Sequence, residues 1–319
     1  MDPLPLTDLK AWLSDESYRW IEEDDINQAK FQKELEEEAS PNLFGDDDSD
    51  SGIERVQEWR SSSTHPDGVG GFHTPDGPAE LSGECIAIKF ILSESYEGFG
   101  DTLWASARHV ANLLADPGSC SNVLKLEEKK SSSHPLLGKS MVELGAGAGV
   151  PSWTAMKCGA RVVSTDLASA NRIRCMAECI ERNYRDMKLD DMDANGSVLQ
   201  NADQARAAPC PWGKPVEAVL ALNGHKRFDV LVAADCCYMP LFHDEMLDTI
   251  ANLLDDNGVA LIPFALHGNT KDESVWGIVE KAKDKGFSVE QLPTQQLSPP
   301  CVGMEKKQGL VHTLRLTWK

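Results

Sequence analysis

The apolar positions of this sequence predict strands that alternate with helices. Short apolar runs of the kind found in buried parallel strands occupy residues 141–144, 161–165 and 230–234. After the second run, apolar residues recur every three or four positions, which predicts an amphipathic helix. The apolar residues of this helix are Ile173, Met176, Ala177, Ile180 and Tyr184. Strands that alternate with helices favour an α/β fold with a doubly wound sheet.

The pattern along the rest of the chain adds further elements. Residues 116–135 are expected to form a loop, and the polar stretch 185–209 contains no strand that the pattern can place. The other predicted elements, in chain order, are a strand at residues 84–92, a helix with Trp104, Ala107, Ala111 and Leu114 on one face, a helix at 241–254, a strand at 258–264, a helix at 271–285 and a last strand at 310–318.

The first 80 residues differ in composition from residues 81–319. Residues 1–38 are acidic, and the apolar residues Trp12, Leu13, Trp20 and Ile21 predict a short helix that docks on another surface. Residues 39–80 are rich in Ser, Asp, Gly and Pro, which is typical of a linker or of disorder. We therefore expect an acidic, partly disordered leader over residues 1–80 and one domain over residues 81–319.

A glycine turn followed by an acidic strand end indicates a nucleoside-cofactor site. Gly145, Gly147 and Gly149 follow the first apolar run, where glycine permits positive φ and lets a ligand approach the main chain. Asp166 ends the next run, where a carboxylate can accept hydrogen bonds from both hydroxyls of a ribose. A turn that serves packing alone is the alternative reading of the three glycines.

The acid before the turn bears on the kind of cofactor. Dinucleotide sites use the spacing Gly-x-Gly-x-x-Gly and place a pyrophosphate on a helix N-terminus. Here the glycines are evenly spaced and Glu143 precedes them, so a pyrophosphate would be repelled. A cofactor with an ammonium and a sulfonium, such as S-adenosylmethionine, suits this arrangement better than NAD.

These residues resemble the first motif of the seven-β-strand S-adenosylmethionine-dependent methyltransferases. Three further features resemble the group that contains nicotinamide N-methyltransferase-like proteins and protein-lysine methyltransferases, known as methyltransferase family 16. They are Trp104 in the segment 100–104, Trp212 with Gly213, and the segment Asp235, Cys236, Cys237, Tyr238. The resemblance covers residues 81–319. It implies a Rossmann-like, doubly wound seven-stranded sheet with an antiparallel last strand.

The resemblance also implies roles for individual residues. The implied cofactor-binding residues are Trp104, Glu143, Gly145, Ala146, Gly147, Asp166, Trp212 and Ala234. Asp235 and Tyr238 are the implied catalytic residues, with a carboxylate that stabilises and orients a substrate amine beside an aromatic ring. Alternatives are that Asp235 caps the helix after Pro240 and that both tryptophans fill the core.

Charge and cysteine content limit the function classes. The net charge is −20, with 18 acidic and 6 basic residues in residues 1–60, which argues against nucleic acid and favours a basic protein partner. Nine cysteines without a secretory signal indicate reduced thiols in the cytosol or nucleus, and their spacing does not predict a metal site. No apolar run reaches the length of a membrane span. His109, His243 and His267 have no paired acid or nucleophile in a known pattern, so we expect surface or core residues.

Three functions of different classes fit the sequence. The first is a monomeric methyltransferase that uses S-adenosylmethionine and acts on a lysine or N-terminal amine of a protein, with translation factors or chaperones as starting candidates. The second is a small-molecule N-methyltransferase. The third is a scaffold that binds the cofactor without catalysis, which the presence of Glu143, Asp166 and Asp235 disfavours.

Overall fold

The computed structural model describes residues 6–38, 56–62, 69–70, 85–92, 102–126, 134–191, 204–268, 271–298 and 306–319. Its strands are β1 (Val56–Arg60), β2 (Val69–Gly70), β3 (Ala87–Ile91), β4 (Ser140–Glu143), β5 (Arg161–Asp166), β6 (Ala205–Pro209), β7 (Phe228–Val232), β8 (Leu254–Phe264), β9 (Phe287–Gln296) and β10 (Leu310–Trp318). Its helices are α1 (Leu6–Leu9), α2 (Asp15–Glu38), α3 (Ala105–Ala115), α4 (Pro117–Leu124), α5 (Val150–Lys157), α6 (Ala170–Asp191), α7 (Glu217–Leu222), α8 (His243–Leu253), α9 (Asp272–Trp276) and α10 (Ile278–Asp284). None of the helices in these ranges combines the length and the apolarity that a membrane span requires.

Seven strands form the central sheet, in the order β6-β5-β4-β7-β8-β10-β9. The first five of these run parallel, and β10 is antiparallel to both of its neighbours. The predicted α/β fold, with a doubly wound seven-stranded sheet and an antiparallel last strand, is confirmed. Because parallel strands bring their carboxyl ends to one edge, the segments that follow β4, β5 and β7 meet there.

Helices cover both faces of this sheet, which explains the continuous apolar runs. On β4, Met141 belongs to the hydrophobic cluster beneath α3, α5 and α6, whereas Val142 belongs to the cluster beneath α8 and α10. Both side chains are fully buried. Successive residues of a strand point to opposite faces, so a strand buried on both faces must be apolar at every position.

The described part of the predicted leader packs on the domain that follows it. Its buried apolar side chains belong to the same hydrophobic cluster as those of α5 and α6 and are Leu9, Trp12, Leu13, Ile21 and Trp59. Leu13 forms a parallel bridge with Ala207, on the outer side of β6. The segment therefore covers a sheet edge that would otherwise expose unpaired backbone groups. The helix α2 has 24 residues, more than the short helix that the sequence predicts.

A second, small sheet contains residues that the sequence pattern assigned to a linker. β1 lies within the stretch 39–80 and pairs antiparallel with β2 and β3. For residues 56–60 the prediction of a linker or disorder was therefore wrong, because Trp59 is fully buried against the domain. Most of the stretch 39–80 lies outside the described residues. The strand predicted at residues 84–92 is β3, and it belongs to this small sheet.

Three other elements differ from the sequence pattern. Residues 116–135 were expected to form a loop, but α4 lies there, with Asp116 as its N-cap, whose carboxylate accepts a hydrogen bond from Ser119 N at 2.8 Å. The single helix predicted at residues 271–285 is two helices, α9 and α10, which meet at Gly277. The strand that the pattern could not place is β6, whose residues are mostly alanine and which gains its form from parallel pairing with β5.

Glu143 ends β4 and is buried beneath the turn that follows. Its Oε2 accepts hydrogen bonds from Ser152 N at 2.9 Å and from Ser152 Oγ at 2.5 Å, in the first turn of α5. Burial raises the pKa of Glu143 to about 8, although the two bonds from Ser152 favour the ionised form. Glu143 therefore ties the central strand to α5 as a predominantly neutral carboxyl group at neutral pH.

Replacing Trp59 by alanine tests whether the leader is part of the folded unit. We expect the free energy of unfolding to fall by about 3–5 kcal/mol, because a fully buried indole is lost and a cavity remains. Urea unfolding of wild type and variant measures this loss. The half-buried Trp20 on α2 provides a control, and Trp20→Ala should cost less. A loss below about 1 kcal/mol for Trp59→Ala would contradict the packing of β1 on the domain.

Glu143→Gln tests the burial of the Glu143 carboxyl group. Between the ordinary pKa of a glutamate and about 8, folded wild type holds a proton that the unfolded chain has lost. This group therefore makes the free energy of unfolding fall as pH rises through that window, by up to about 1.4 kcal/mol per pH unit. Glutamine does not titrate and can still accept both bonds from Ser152. The stability advantage of the variant, measured by urea unfolding, should grow from about pH 5 to about pH 8, and an advantage that does not change with pH would refute the assignment.

Candidate active site

A cavity of about 340 Å³ lies where the carboxyl ends of β4, β5 and β7 meet. Of the residues that the sequence singled out, those on its wall are Trp104, Gly145, Ala146, Gly147, Asp166, Trp212, Ala234, Asp235 and Tyr238. Glu143 does not line the cavity, because its carboxyl group is buried against Ser152. The fold thus brings together residues from five separate parts of the chain. Their individual roles in binding or catalysis stay predictions.

The turn after β4 presents main-chain atoms to this cavity. Gly145 and Gly147 have φ values of +60° and +52°, in the left-handed region that favours glycine. A Cβ atom on Gly145 would lie 2.8 Å from Cys236 Sγ and 3.5 Å from Trp212 Cζ2. Any side chain at this position would therefore strain the turn and intrude between β4 and the segment after β7.

Asp166 connects the turn to the neighbouring strand. Its Oδ2 accepts a hydrogen bond from Gly147 N at 2.7 Å, and its Oδ1 accepts bonds from Leu167 N at 2.7 Å and Arg172 Nη1 at 2.8 Å. The ion pair with Arg172 is buried. The sequence analysis missed Arg172, although a basic residue in the first turn of α6 is a signal for such a pair. The carboxylate stays on the cavity wall, where a ribose could reach it.

Asp235 follows β7 and holds its carboxylate in an unusual way. Its backbone has a φ of 56°, which is rare for a residue other than glycine, and its N–H donates to Pro263 O at 2.8 Å. Oδ1 accepts hydrogen bonds from Ala265 N at 3.2 Å and from His267 Nε2 at 2.9 Å. Oδ2 is buried and, among the described residues, has no hydrogen-bond partner. Oδ1 thus holds the carboxylate in place, whereas Oδ2 lacks the hydrogen bond that a buried carboxylate oxygen normally has.

The alternative role of Asp235 as a helix cap does not match this geometry. The 3₁₀ turn Pro240–Phe242 and α8 follow Asp235, and their N-cap positions are Met239 and Phe242, neither of which forms a side-chain cap. The hydrogen bonds of Asp235 run instead to the end of β8 and the segment after it.

His267 has no acid partner in a known sequence pattern, but the structure pairs it with Asp235. Its Nε2 bonds to Asp235, and its ring meets the edge of Trp104 with centroids 4.6 Å apart and planes at 80°. The partners are far apart in sequence, so no local pattern links them. The position of His267 just beyond the carboxyl end of β8 was the available signal, since ligand sites of such sheets lie there. His109 and His243 are buried, in agreement with the expectation of core residues.

Aromatic side chains form much of the remaining wall. Trp104, Trp212 and Tyr238 come from three different segments and face the same cavity. Tyr238 is half-buried, and burial raises the pKa of its hydroxyl, so the phenol is neutral at neutral pH. Such rings can stack on an adenine or contact a cation through their faces.

The mouth of the cavity is bordered by exposed apolar side chains. Leu167, Met239 and Phe242 line the cavity and are 58%, 40% and 40% exposed, and the neighbouring Leu241 is 77% exposed. Exposed large apolar groups that adjoin a cavity are typical of contact surfaces. We call these four residues the apolar rim.

Metal and thiol chemistry find little support in the described ranges. No group of three or more His, Cys, Asp or Glu in them is arranged to hold a metal ion. The eight cysteines described are free thiols. Cys236 lines the cavity, and burial raises its pKa well above the ordinary value, so it is a neutral thiol that donates to Leu144 O at 3.3 Å.

Comparison with known proteins shows the family of this chain. A family model described as lysine methyltransferase matches residues 88–276. The chain is 35% identical over 177 residues to the protein N-terminal and lysine N-methyltransferase EFM7 of Gibberella zeae, which covers 51% of this chain and 62% of that protein. The protein of the same name from Schizosaccharomyces pombe is 23% identical over 278 residues, which covers 83% of this chain and 94% of that protein. The chain spans about three fifths of the length of the Gibberella protein.

Solved structures with a similar architecture include magnesium protoporphyrin IX methyltransferase (ChlM) from Synechocystis PCC 6803 with bound SAM. The TM-score is 0.41 at 16% sequence identity, and the match covers 67% of this chain and 80% of that chain. The family model, in contrast, matches more than half of the sequence, including the glycine turn, Asp166 and Asp235. On this match, the chain belongs to the lysine methyltransferase family.

Proposed function

We propose that this protein transfers a methyl group from S-adenosylmethionine to an amine of a polypeptide, either a lysine side chain or an N-terminal amine. The observation that carries the proposal is the carboxylate of Asp235, a residue of the cavity wall, which is held through Oδ1 while its buried Oδ2 has no hydrogen-bond partner among the described residues. Family membership supports it, and so do the names of the relatives, which describe protein N-terminal and lysine N-methyltransferases.

The residues of the cavity fit S-adenosylmethionine. The volume of about 340 Å³ lies in the range of roughly 300 to 1,000 Å³ that is usual for small-molecule sites. Asp166 and Asp235 against the single cation Arg172 favour a positively charged ligand. Trp212 and the bare backbone of Gly145 would accommodate the adenosine, and Trp104 and Tyr238 would face the methionine end. When bound, the cofactor supplies an electrophilic methyl group on its sulfonium.

Asp235 would bind and orient the substrate amine. A lysine enters as an ammonium, which the carboxylate stabilises, and it must release a proton to water before its nitrogen becomes nucleophilic. A hydrogen bond from the neutral amine to Oδ2 would then fix the direction of the nitrogen lone pair. The neutral hydroxyl of Tyr238 and its ring wall the same space. Positioning of this kind can supply most of the acceleration of a displacement reaction.

The apolar rim favours a polypeptide over a small amine. A small substrate would lie inside the cavity and leave Leu241 and Leu167 in water. A polypeptide that presents one amine to the cavity would cover them with the side chains beside its target residue. The net charge of −20 suits a substrate with basic neighbours.

The candidate substrates are proposed from the resemblance to the methyltransferase family alone. Translation factors and chaperones are the first candidates, and the cytosol or nucleus is the proposed compartment. We also propose that the protein acts as a monomer.

Asp235→Asn tests the proposed function. The variant keeps the size of the side chain but removes its negative charge, so transfer of isotopically labelled methyl groups to lysate proteins should fall about 100-fold or more. Calorimetric affinity for S-adenosylhomocysteine should change by less than about threefold, because the glycine turn and Trp212 are untouched.

A matched control is Asp229→Asn, at the other end of β7. Asp229 bonds to Ser140 and Lys139, away from the cavity, so this variant should transfer label as wild type does. Label confined to the small-molecule fraction would favour the small-molecule methyltransferase. Cofactor binding without any transfer would favour the scaffold.

Leu241→Ser tests the apolar rim. Leu241 is largely exposed, so the change should leave stability within about 0.5 kcal/mol of wild type. If a polypeptide covers the rim, labelling of protein should fall about three- to tenfold, while the affinity for S-adenosylhomocysteine stays the same. Leu137→Ser, at an exposed leucine outside the cavity wall, is the control. Equal labelling by wild type and both variants would show that the apolar rim does not contribute to substrate binding.

A further inference from the structure

We propose that His267 is a positioning residue, which holds Oδ1 of Asp235 through Nε2 so that Oδ2 faces the substrate amine. The inference rests on the proposed function, and it names a residue that neither the glycine turn nor the acidic strand ends would suggest. His267 does not line the cavity itself, so its effect on substrate passes through Asp235.

Three contacts from one segment fix Asp235. Pro263 O accepts its N–H at 2.8 Å, Ala265 N donates to Oδ1 at 3.2 Å, and His267 Nε2 donates to the same oxygen at 2.9 Å. These partners are alternate residues at the end of β8 and just beyond it. Alternate residues of an extended segment present their groups to the same side, so the three contacts act together.

The contacts to Asp235 hold its backbone in an unfavourable conformation. Asp235 has a φ of 56°, a left-handed conformation that is unfavourable for a residue with a side chain. Such strain persists where surrounding contacts determine the conformation, and it is common at functional sites. Of the contacts to Asp235, the one from His267 is made by a side chain, so substitution can remove it without breaking the backbone pairing.

The result is a carboxylate with one hydrogen-bonded oxygen and one oxygen without a hydrogen-bond partner among the described residues. Asp235 is 7% exposed, and Oδ2 has no hydrogen-bond partner among the described residues although it is buried. An unpaired buried carboxylate oxygen is unfavourable unless a ligand donates a hydrogen bond to it. The amine that enters the cavity provides that donor. If His267 were absent, the carboxylate could rotate and offer either oxygen to Ala265 N, which would leave Oδ2 undirected.

The walls of the cavity also set the orientation of the imidazole. The ring of His267 meets Trp104 edge-on at 4.6 Å and Tyr238 at 6.4 Å, with planes at 80° and 90°. Both aromatic residues line the cavity, and the imidazole is only 10% exposed. The ring therefore has little freedom to turn away from Asp235. Its contacts join the aromatic wall and the carboxylate into one unit.

Two substitutions separate the hydrogen bond from the bulk of the ring. His267→Ala removes the donor, and kcat for methyl transfer to lysate protein should fall about 10- to 100-fold, as expected when a catalytic group is misplaced. His267→Gln keeps a side-chain N–H that can reach Oδ1, so it should recover most of the rate. The affinity for S-adenosylhomocysteine should stay within about threefold of wild type in both variants.

His312→Gln serves as a matched control for the loss of a partly buried imidazole. His312 lies on β10, where its Nδ1 is 3.1 Å from Thr294 Oγ1 and its ring meets Trp276, outside the cavity wall. Its replacement should disturb packing but leave methyl transfer at the level of wild type. A loss of rate equal to that of His267→Ala would mean that general destabilisation explains both effects, which would overturn the proposal.

A double-mutant cycle tests whether His267 acts through Asp235. Addition of His267→Ala to Asp235→Asn should lower kcat no further, because the carboxylate to be positioned is already gone. A residue that acted independently of Asp235 would give a second, multiplicative loss. That result would overturn the positioning role.

A spectroscopic readout separates this proposal from the proposed function. In ¹⁵N spectra of the full chain, the His267 imidazole should carry its hydrogen on Nε2, and Asp235→Asn should shift the His267 signal while that of His312 stays in place. An unchanged His267 signal would show that the hydrogen bond is absent and would refute the proposal. If wild type labels no protein, the proposed function fails. If wild type labels protein and His267→Ala is equally active, the positioning role alone fails.

Discussion

The parallel pairing of β4 with β5 on one side and β7 on the other is the constraint on which the site depends. Val142 of the central strand pairs with Val163 and with Leu231, and this register brings the three carboxyl ends level. A slip of one residue would move Met141 and Val142 into each other's hydrophobic clusters, so the packing on both faces favours this register. The glycine turn, Asp166 and Asp235 lie close together because each follows or ends one of these three parallel strands at the same edge of the sheet.

Three acidic residues at this edge have different properties because they have different partners. Glu143 is buried against Ser152 and is predominantly neutral near pH 7, since its pKa is raised to about 8. Asp166 is paired with Arg172 and bonded to the turn. Oδ2 of Asp235 is buried and has no hydrogen-bond partner among the described residues. The carboxylate that the proposed function assigns to the substrate amine therefore lies at the end of β7, next to the aromatic wall.

What the sequence could predict was local, and what it missed depends on distant partners. The glycine turn and the acidic strand ends stand beside apolar runs, so a short window contains the signal. β6 is rich in alanine and becomes a strand through pairing with β5 and contact with Leu13. The role proposed for His267 depends on its hydrogen bond to Asp235, which lies 32 residues earlier in the chain. The depth of Glu143 likewise follows from helix packing, which no motif encodes.

The central claim is that this edge of the sheet delivers a methyl group to an amine of a polypeptide. Tandem mass spectrometry of lysate proteins that wild type modifies in the presence of isotopically labelled S-adenosylmethionine locates the transferred group directly. We expect one or more labelled methyl groups on the nitrogen of a lysine side chain or of an N-terminal amine. Label on a carboxylate, a thiol or another non-amine atom, or label found only on small molecules, would contradict it.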